Sequence, residues 1–307
     1  MPSWKHNVLK NALNTLSVPM YWKLPPIDHL RGLLETFTMF ATLPWGVSRG
    51  EVEFKEFRAD WLVPDKRSAE DVILYLHGGG YVIGSPHSHR GLAGKIAKDA
   101  GMACLLIDYR KAPEYPFPYA LYDAYKAYEY LLGQGYEPGH IFIIGDSAGG
   151  GLTLSLSLKL KMDKMPLPAA NVLLSPYVDL VNNEDDRKHN AKNDRFLDVF
   201  EMRRWAELYA AGHDLSDPLI SPLFGNLAGL PPMLIQASTS EVLYEDANRL
   251  YQKAKSFQLE VEFQTWQGLI HWWHMFGGMP EAKEAIDKIV DYIKAHIGKT
   301  QHQKMAS

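Results

Sequence analysis

The run Gly145-Asp146-Ser147-Ala148-Gly149-Gly150 follows the apolar stretch Ile141-Phe142-Ile143-Ile144 and precedes a helical pattern starting near Leu152. A serine framed by glycines at a turn from strand to helix is held with its hydroxyl above the sheet, ready to act as a nucleophile. Side chains at positions 145 and 149 would collide with the neighbouring strand and helix. A second run, His77-Gly78-Gly79-Gly80-Tyr81, follows the stretch Val72 to Leu76. Attack on a carbonyl builds negative charge on its oxygen. Backbone N–H groups stabilise that charge where the chain approaches without side chains. The glycine triplet supplies such groups, and Gly79, Gly80 and the N–H of Ala148 are the expected oxyanion hole. A glycine triplet also suits a phosphate loop, but the Lys of that motif is missing. Both runs point to acyl transfer through a covalent intermediate.

Such a serine needs a base and an acid, and in this strand–turn–helix setting the chain order is Ser, acid, His. Among twelve histidines, His271 and His274 in Gly268-Leu269-Ile270-His271-Trp272-Trp273-His274 lie late enough, after the last apolar strand. His271 is nearer the strand end and is the expected base. The pair also has metal-ligand spacing, but no third ligand or H-E-x-x-H pattern accompanies it, so no metal is expected. His87 and His89 read as surface residues at a helix start, and His77 as a support of its loop. For the acid, the stretch Met233 to Ala237 is followed by Ser238-Thr239-Ser240-Glu241. Glu241 comes first and lies in the loop. Glu245 and Asp246 are its rivals, but they read as exposed residues at the start of the next helix, where acids favour the dipole.

The elements that must position these groups follow from periodicity. Leu9, Leu13, Leu16 and Met20 recur at helical spacing; Pro25-Pro26 interrupts, and Asp28 can cap a second helix with the apolar stripe Leu30, Leu33, Leu34, Phe37 and Phe40. That stripe must bury against something. From Glu51 the period changes: Val52 and Phe54 alternate with charges, and Asp60 to Val63 is the expected hairpin partner. Continuous apolar runs then alternate with helical segments: 72–76, 104–107, 141–144, 172–174 and 233–235, with a last strand at 259–265 and a closing helix from Pro280 to Ile297. Strands buried on both faces read this way in a parallel sheet covered by helices. The segment Val181 to Gly212 breaks the alternation, being charge-rich at Glu184 to Lys188 and helical from Phe200 to Tyr209. It reads as an insertion after the sixth strand. The expected organisation is 1–45 as the N-terminal part of a helical cap, 46–180 and 216–307 as the two parts of the core, and 181–215 as the cap insertion.

Composition narrows the function classes. With 307 residues, 46% hydrophobic and 22% charged, the chain suits one large α/β domain. A formal charge of -4 with no Lys/Arg tract argues against nucleic acid as a partner. One cysteine, Cys104, precludes an intrachain disulfide and suits a cytoplasmic setting. The N-terminus lacks the apolar stretch of a secretory signal, and no run of eighteen apolar residues forms a transmembrane segment.

Further landmarks carry a resemblance. Asp108-Tyr109-Arg110-Lys111-Ala112-Pro113-Glu114 is followed by Pro116-Phe117-Pro118; Ser175-Pro176-Tyr177-Val178-Asp179-Leu180, Asp217 with Ser221-Pro222, and Leu230-Pro231-Pro232 follow in order. With the two glycine runs, the chain from about Val72 onward resembles the bacterial hormone-sensitive-lipase-like esterases of the α/β-hydrolase superfamily. The resemblance implies an eight-stranded, mostly parallel sheet with the second strand antiparallel, flanked by helices and covered by a helical cap. It implies Ser147 as nucleophile, His271 as base and Glu241 as acid, where many members carry Asp. It further implies a small-molecule ester substrate of short to medium acyl length, no cofactor, and a homodimer. Bulky cap residues such as Trp4, Trp22, Phe37 and Trp45 are the expected limit on substrate size. Two other readings remain open at this point: an amidase or deacetylase with the same triad, and a binding protein like the plant gibberellin receptors, which resemble this family but lack the histidine.

Overall fold

A computed structural model of the chain describes residues 2–17, 26–38, 42–181, 184–194 and 197–298. Its centre is an eight-stranded sheet: β1 (Val47–Glu53), β2 (Arg58–Pro64), β3 (Val72–Leu76), β4 (Ala103–Asp108), β5 (Ile141–Asp146), β6 (Ala170–Leu174), β7 (Met233–Ser238) and β8 (Val261–Trp266). The spatial order is β1-β2-β4-β3-β5-β6-β7-β8. β2 runs antiparallel to both its neighbours and β3 through β8 are parallel. The expected hairpin is present, with Val52 opposite Ala59, although β1 starts earlier than its alternating residues, at Val47.

The continuous apolar runs form the interior strands because each strand face meets a helix layer. Successive residues of β3 alternate between layers. Leu74 and Leu76 pack with Leu121 and Tyr128 of α4 (Tyr119–Gly133) and Leu152 and Leu156 of α5 (Ala148–Met162). Ile73 and Tyr75 pack with Leu92 and Ile96 of α3 (Pro86–Ala100) and Ile289 and Ile293 of α9 (Pro280–His296). A βαβ crossover must return over a face, so every parallel strand ends at the same edge, and the loops there are where chemistry gathers. Helix α8 (Tyr244–Ser256) leads from β7 to β8.

Outside this frame lie α1 (Trp4–Ser17) and α2 (Ile27–Phe37) before β1, and α6 (Glu184–Ala191) and α7 (Val199–Ala210) between β6 and β7. The insertion is helical where expected, in α7, and also over its charge-rich segment, which forms α6. Several expectations change. Asp28 does not cap α2: the N-cap is Pro26, without a side-chain hydrogen bond, and Asp28 sits in the first turn. Among the described residues of the α2 stripe, Leu34 is buried and Leu30 half-buried, while Leu33 and Phe37 stay exposed. The helix is held instead through Arg31, which donates to the carbonyls of Val82 and Ala112 and pairs with Glu114 at 2.8 Å. Met20, Trp22 and Phe40 lie outside the described residues. Helix α5 starts at Ala148, directly after Ser147, rather than near Leu152.

Candidate active site

Ser147 occupies the corner between β5 and α5 with φ 52° and ψ −121°. A non-glycine residue there is strained by about 1–3 kcal/mol, so the surroundings must hold it. They do so through its backbone: its N–H donates to the Leu174 carbonyl at 2.8 Å, and its carbonyl accepts from Tyr177 at 2.9 Å and Gly151 at 3.1 Å. The flanking glycines are dictated by space. A Cβ at Gly149 would stand 1.9 Å from the Leu76 carbonyl oxygen, and one at Gly145 would stand 2.2 Å from that of Gly149.

Glu241 follows β7 in a short loop and is fully buried. Its Oε1 accepts from the Ser238 N–H at 2.7 Å and the Ser175 hydroxyl at 2.8 Å. Its Oε2 faces His271 Nδ1 at 2.8 Å. A carboxylate on Nδ1 sets the tautomer, with the proton on Nδ1 and the lone pair on Nε2. Burial penalises the imidazolium, but the hydrogen bond and charge of Glu241, with the charges of Asp194 and Asp146, outweigh it and raise the His271 pKa above 6.5. His271, Ser147, Gly79 and Gly80 share the wall of a cavity of about 70 Å³, closed by Tyr177, Leu197, Met202, Trp205, Leu243 and Trp272. A larger groove of about 680 Å³ beside β1 and β2, with Glu51, Trp61 and His140 in its wall, contains no serine or cysteine.

The loop after β3 carries Gly79 and Gly80, both with positive φ. At Gly80 a Cβ would lie 2.1 Å from the Trp205 ring, so the residue lets α7 close directly over this loop. The loop is pinned from beneath by Asp146, the residue before Ser147. Its buried carboxylate accepts from the Gly78 N–H at 3.1 Å, Tyr75 hydroxyl at 3.0 Å and Trp272 Nε1–H at 2.9 Å, and faces His89 Nε2 at 3.2 Å. Burial opposes that charge, but these partners, His89 first, hold the carboxyl well below the usual carboxylate range. One side chain thus ties together the serine corner, the glycine loop and the histidine loop. His77 supports its loop, with Nδ1 2.7 Å from the Gly78 carbonyl and its ring stacked on Tyr109.

The structure corrects several readings of single residues. His87 is at the surface, but His89 is fully buried against Asp146. His274 is buried against Gln236 Oε1 at 3.1 Å, and burial lowers its pKa to about 3. Asp246 is no exposed helix-start acid. It accepts from the N–H groups of Val178 and Asp179 and binds Arg187 of α6 at 2.7 Å. Trp4 and Trp45 are 71% and 93% exposed and line no part of the cavity. Its size is set instead by Met202 and Trp205 of α7. The reading from sequence also missed Asp146, Ser175, Trp272 and the insertion's Arg187, Asn190 and Asp194. All are polar or amphipathic residues whose burial depends on distant segments, so no local pattern marks them. Among the described residues no three His, Cys, Asp or Glu side chains are grouped to hold a metal ion, and no helix is long and apolar enough to cross a membrane.

Comparison with known proteins agrees with this fold. Residues 73–275 match a family model described as having the alpha/beta hydrolase fold. The chain is 41% identical over 241 residues to an acetyl-hydrolase of Streptomyces hygroscopicus, covering 78% of this chain and 80% of that one. It is 36% identical to an esterase of Acinetobacter venetianus, covering 94% and 96% of the two chains. Among solved structures, an esterase from the bacterial hormone-sensitive lipase family superposes with a TM-score of 0.92 at 35% identity, over 97% of this chain and 100% of that one. EstE5, in a crystal soaked with p-nitrophenyl butyrate, superposes with a TM-score of 0.91 at 36% identity, over 96% and 99%. With these relatives, and with its serine corner, glycine loop and carboxylate-bound histidine on one sheet edge, the chain belongs to the α/β-hydrolase family, among the hormone-sensitive-lipase-like esterases, and is a carboxylic ester hydrolase.

Proposed function

We propose that the chain hydrolyses short- to medium-chain acyl esters with Ser147 as nucleophile, His271 as base and Glu241 as acid. The observation that carries this reading is the buried Glu241–His271 pair at 2.8 Å, with His271 in the same cavity wall as the strained Ser147. His271 Nε2 takes the Ser147 hydroxyl proton while Oγ attacks the ester carbonyl. The carbonyl electron pair moves to oxygen, and the N–H groups of Gly79, Gly80 and Ala148 stabilise that oxyanion. Collapse breaks the C–O bond to the alcohol, which leaves with the proton from His271. Water, deprotonated by the same histidine, then releases the acid and restores Ser147. Glu241 holds the tautomer and stabilises the cation without taking the proton.

The small cavity under Met202 and Trp205 favours short acyl chains, and segments 1–45 and 181–215 act as the cap over it. The relative named for acetyl hydrolysis and the p-nitrophenyl butyrate soak of EstE5 fit that range. The test is a series of p-nitrophenyl esters from acetate to palmitate on wild type and Ser147→Ala. Turnover is expected to peak between acetate and hexanoate and to vanish in Ser147→Ala with the fold retained. Ser147-independent turnover rejects the nucleophile, and a palmitate optimum rejects the size range.

A further inference from the structure

The backbone of the histidine loop is held by four side chains in succession. The N–H of Gly268 donates to Ser240 Oγ at 3.1 Å, that of Leu269 to Ser238 Oγ at 3.0 Å, that of Ile270 to His6 Nε2 at 3.2 Å, and that of His271 to Asp194 Oδ2 at 3.0 Å. The first acceptor lies in the loop that carries Glu241 and the second closes β7 just before it. The third belongs to α1. The fourth comes from the insertion, three residues beyond α6.

Asp194 is fully buried, and the same Oδ2 also accepts the N–H of Val242, next to Glu241, at 3.2 Å. Asn190, at the end of α6, donates to the carbonyls of Thr239 and Glu241 at 3.1 and 3.0 Å. The insertion thus grips the acid loop at Thr239, Glu241 and Val242 and the histidine loop at His271 itself. Arg187, one turn earlier, anchors it to Asp246.

We propose that Asp194 is a positioning residue of the triad: one carboxylate oxygen from the insertion bridges the backbone of His271 and of Val242, and so sets the Glu241–His271 alignment when the insertion is docked. The inference rests on the reading of His271 as base. Asp194 takes no part in bond making. Its charge also acts on the imidazole, in the same direction as those of Glu241 and Asp146, while the nearby His274 stays neutral down to about pH 3.

Two variants separate geometry from charge. Asp194→Ala removes the acceptor for both N–H groups and is expected to lower kcat on p-nitrophenyl butyrate by about 10²-fold, as a displaced catalytic group does, with KM within about threefold. Asp194→Asn keeps a carbonyl oxygen for both donors but loses the charge. Its kcat is expected within about fivefold of wild type, while the acid limb of its kcat/KM profile moves to lower pH by roughly half a unit or more. A merely structural residue would lower the thermal midpoint in both variants and leave that limb in place. The proposal is overturned if Asp194→Asn keeps the wild-type limb, and equally if a folded Asp194→Ala keeps wild-type kcat. Should Asp194→Ala not fold, the limb of Asp194→Asn decides alone. Wild type and Ser147→Ala run in parallel. Turnover that does not depend on Ser147 refutes the triad, whereas Ser147-dependent turnover with an unmoved limb refutes the role of Asp194 only.

Discussion

At the scale of residues, the site sets charges around one imidazole so that its pKa is raised and its Nδ1 faces a carboxylate. Glu241 has both oxygens committed, to Ser238 and Ser175 on one side and to His271 on the other. Glu241→Gln should leave these contacts nearly filled but put an N–H donor where Nδ1 also donates, which favours the wrong tautomer. Turnover is expected to fall by about 10⁴-fold, the loss known for the analogous change in a serine protease. A change at Glu245, which no distance ties to His271, should stay near wild type. Steady-state kinetics on folded protein checks both. The pH profile follows from the same groups. In the proposed mechanism only neutral His271 acts as base, and its pKa is raised above 6.5, so activity is expected to be lost as pH falls through that raised value. The acid limb of kcat/KM should have its midpoint above 6.5 and lead to an alkaline plateau; a midpoint below 6 contradicts the arrangement. Strand ends and chain order single out Ser147, Glu241 and His271 in the sequence, and the structure brings Glu241 against His271 and His271 into one cavity wall with Ser147. Asp146 was not legible in the sequence, although it stands inside the recognised motif. Its role depends on His89, Tyr75 and Trp272, which come from three other elements.

At the scale of elements, the core strands could be read off as apolar runs, since helices cover both faces of a parallel sheet and leave no polar face to disguise it. The insertion could be read only as helical and charged. Glu184 to Lys188 looks like a solvated face, yet Arg187 is 2% exposed and bound to Asp246, itself 2% exposed. An ion pair of this kind links α6 to α8, and nothing in either helix alone announces it. Removing one partner of a buried pair leaves the other charge without compensation, at about 3–5 kcal/mol. Asp246→Asn should therefore lower stability by roughly that amount. Per folded molecule, its turnover loss should be far smaller than that of Glu241→Gln. Chemical denaturation alongside kinetics at low temperature makes the comparison. A stability within 1 kcal/mol of wild type (roughly the cost of an ordinary surface change) would mean that Arg187 does not depend on Asp246. The apolar stripe of α2 shows the reverse case. Periodicity placed the helix, but the expected burial is only partial, because Arg31 rather than the stripe holds it to the chain beneath.

At the scale of the whole molecule, burial has trapped neutral histidines as well as the carboxylate-bound His271, and this sets how the fold responds to acid. His77 is buried on Tyr109 with its pKa well below 6.5, chiefly by desolvation. His274 is lowered to about 3 by the same cause. His6, which accepts the Ile270 N–H, is lowered by burial too. In the unfolded chain all three would titrate near 6.5. Between that value and their folded values the unfolded state binds more protons, so stability rises with pH across this window and is lost as pH falls through it. Each such group contributes a slope of at most about 1.4 kcal/mol per pH unit. His271 has the opposite sign: its raised pKa adds stability below 6.5 that is lost as pH rises through the folded value. Asp146, held low, adds stability that is lost only in strong acid, below its unfolded value near 3.9. Three histidines against one predict a fold that weakens from about pH 6.5 downward, offset in part by Asp123 and Asp246, whose pKa values burial raises. Urea midpoints at pH 7.5, 6, 5 and 4.5 should decline in that order. His274→Gln should flatten the decline, because it removes one of the three proton sinks while its amide can still meet Gln236. Midpoints that stay level from pH 7.5 to 5, or an undiminished slope in a folded His274→Gln, would mean that these histidines are not the groups that couple the fold to acid.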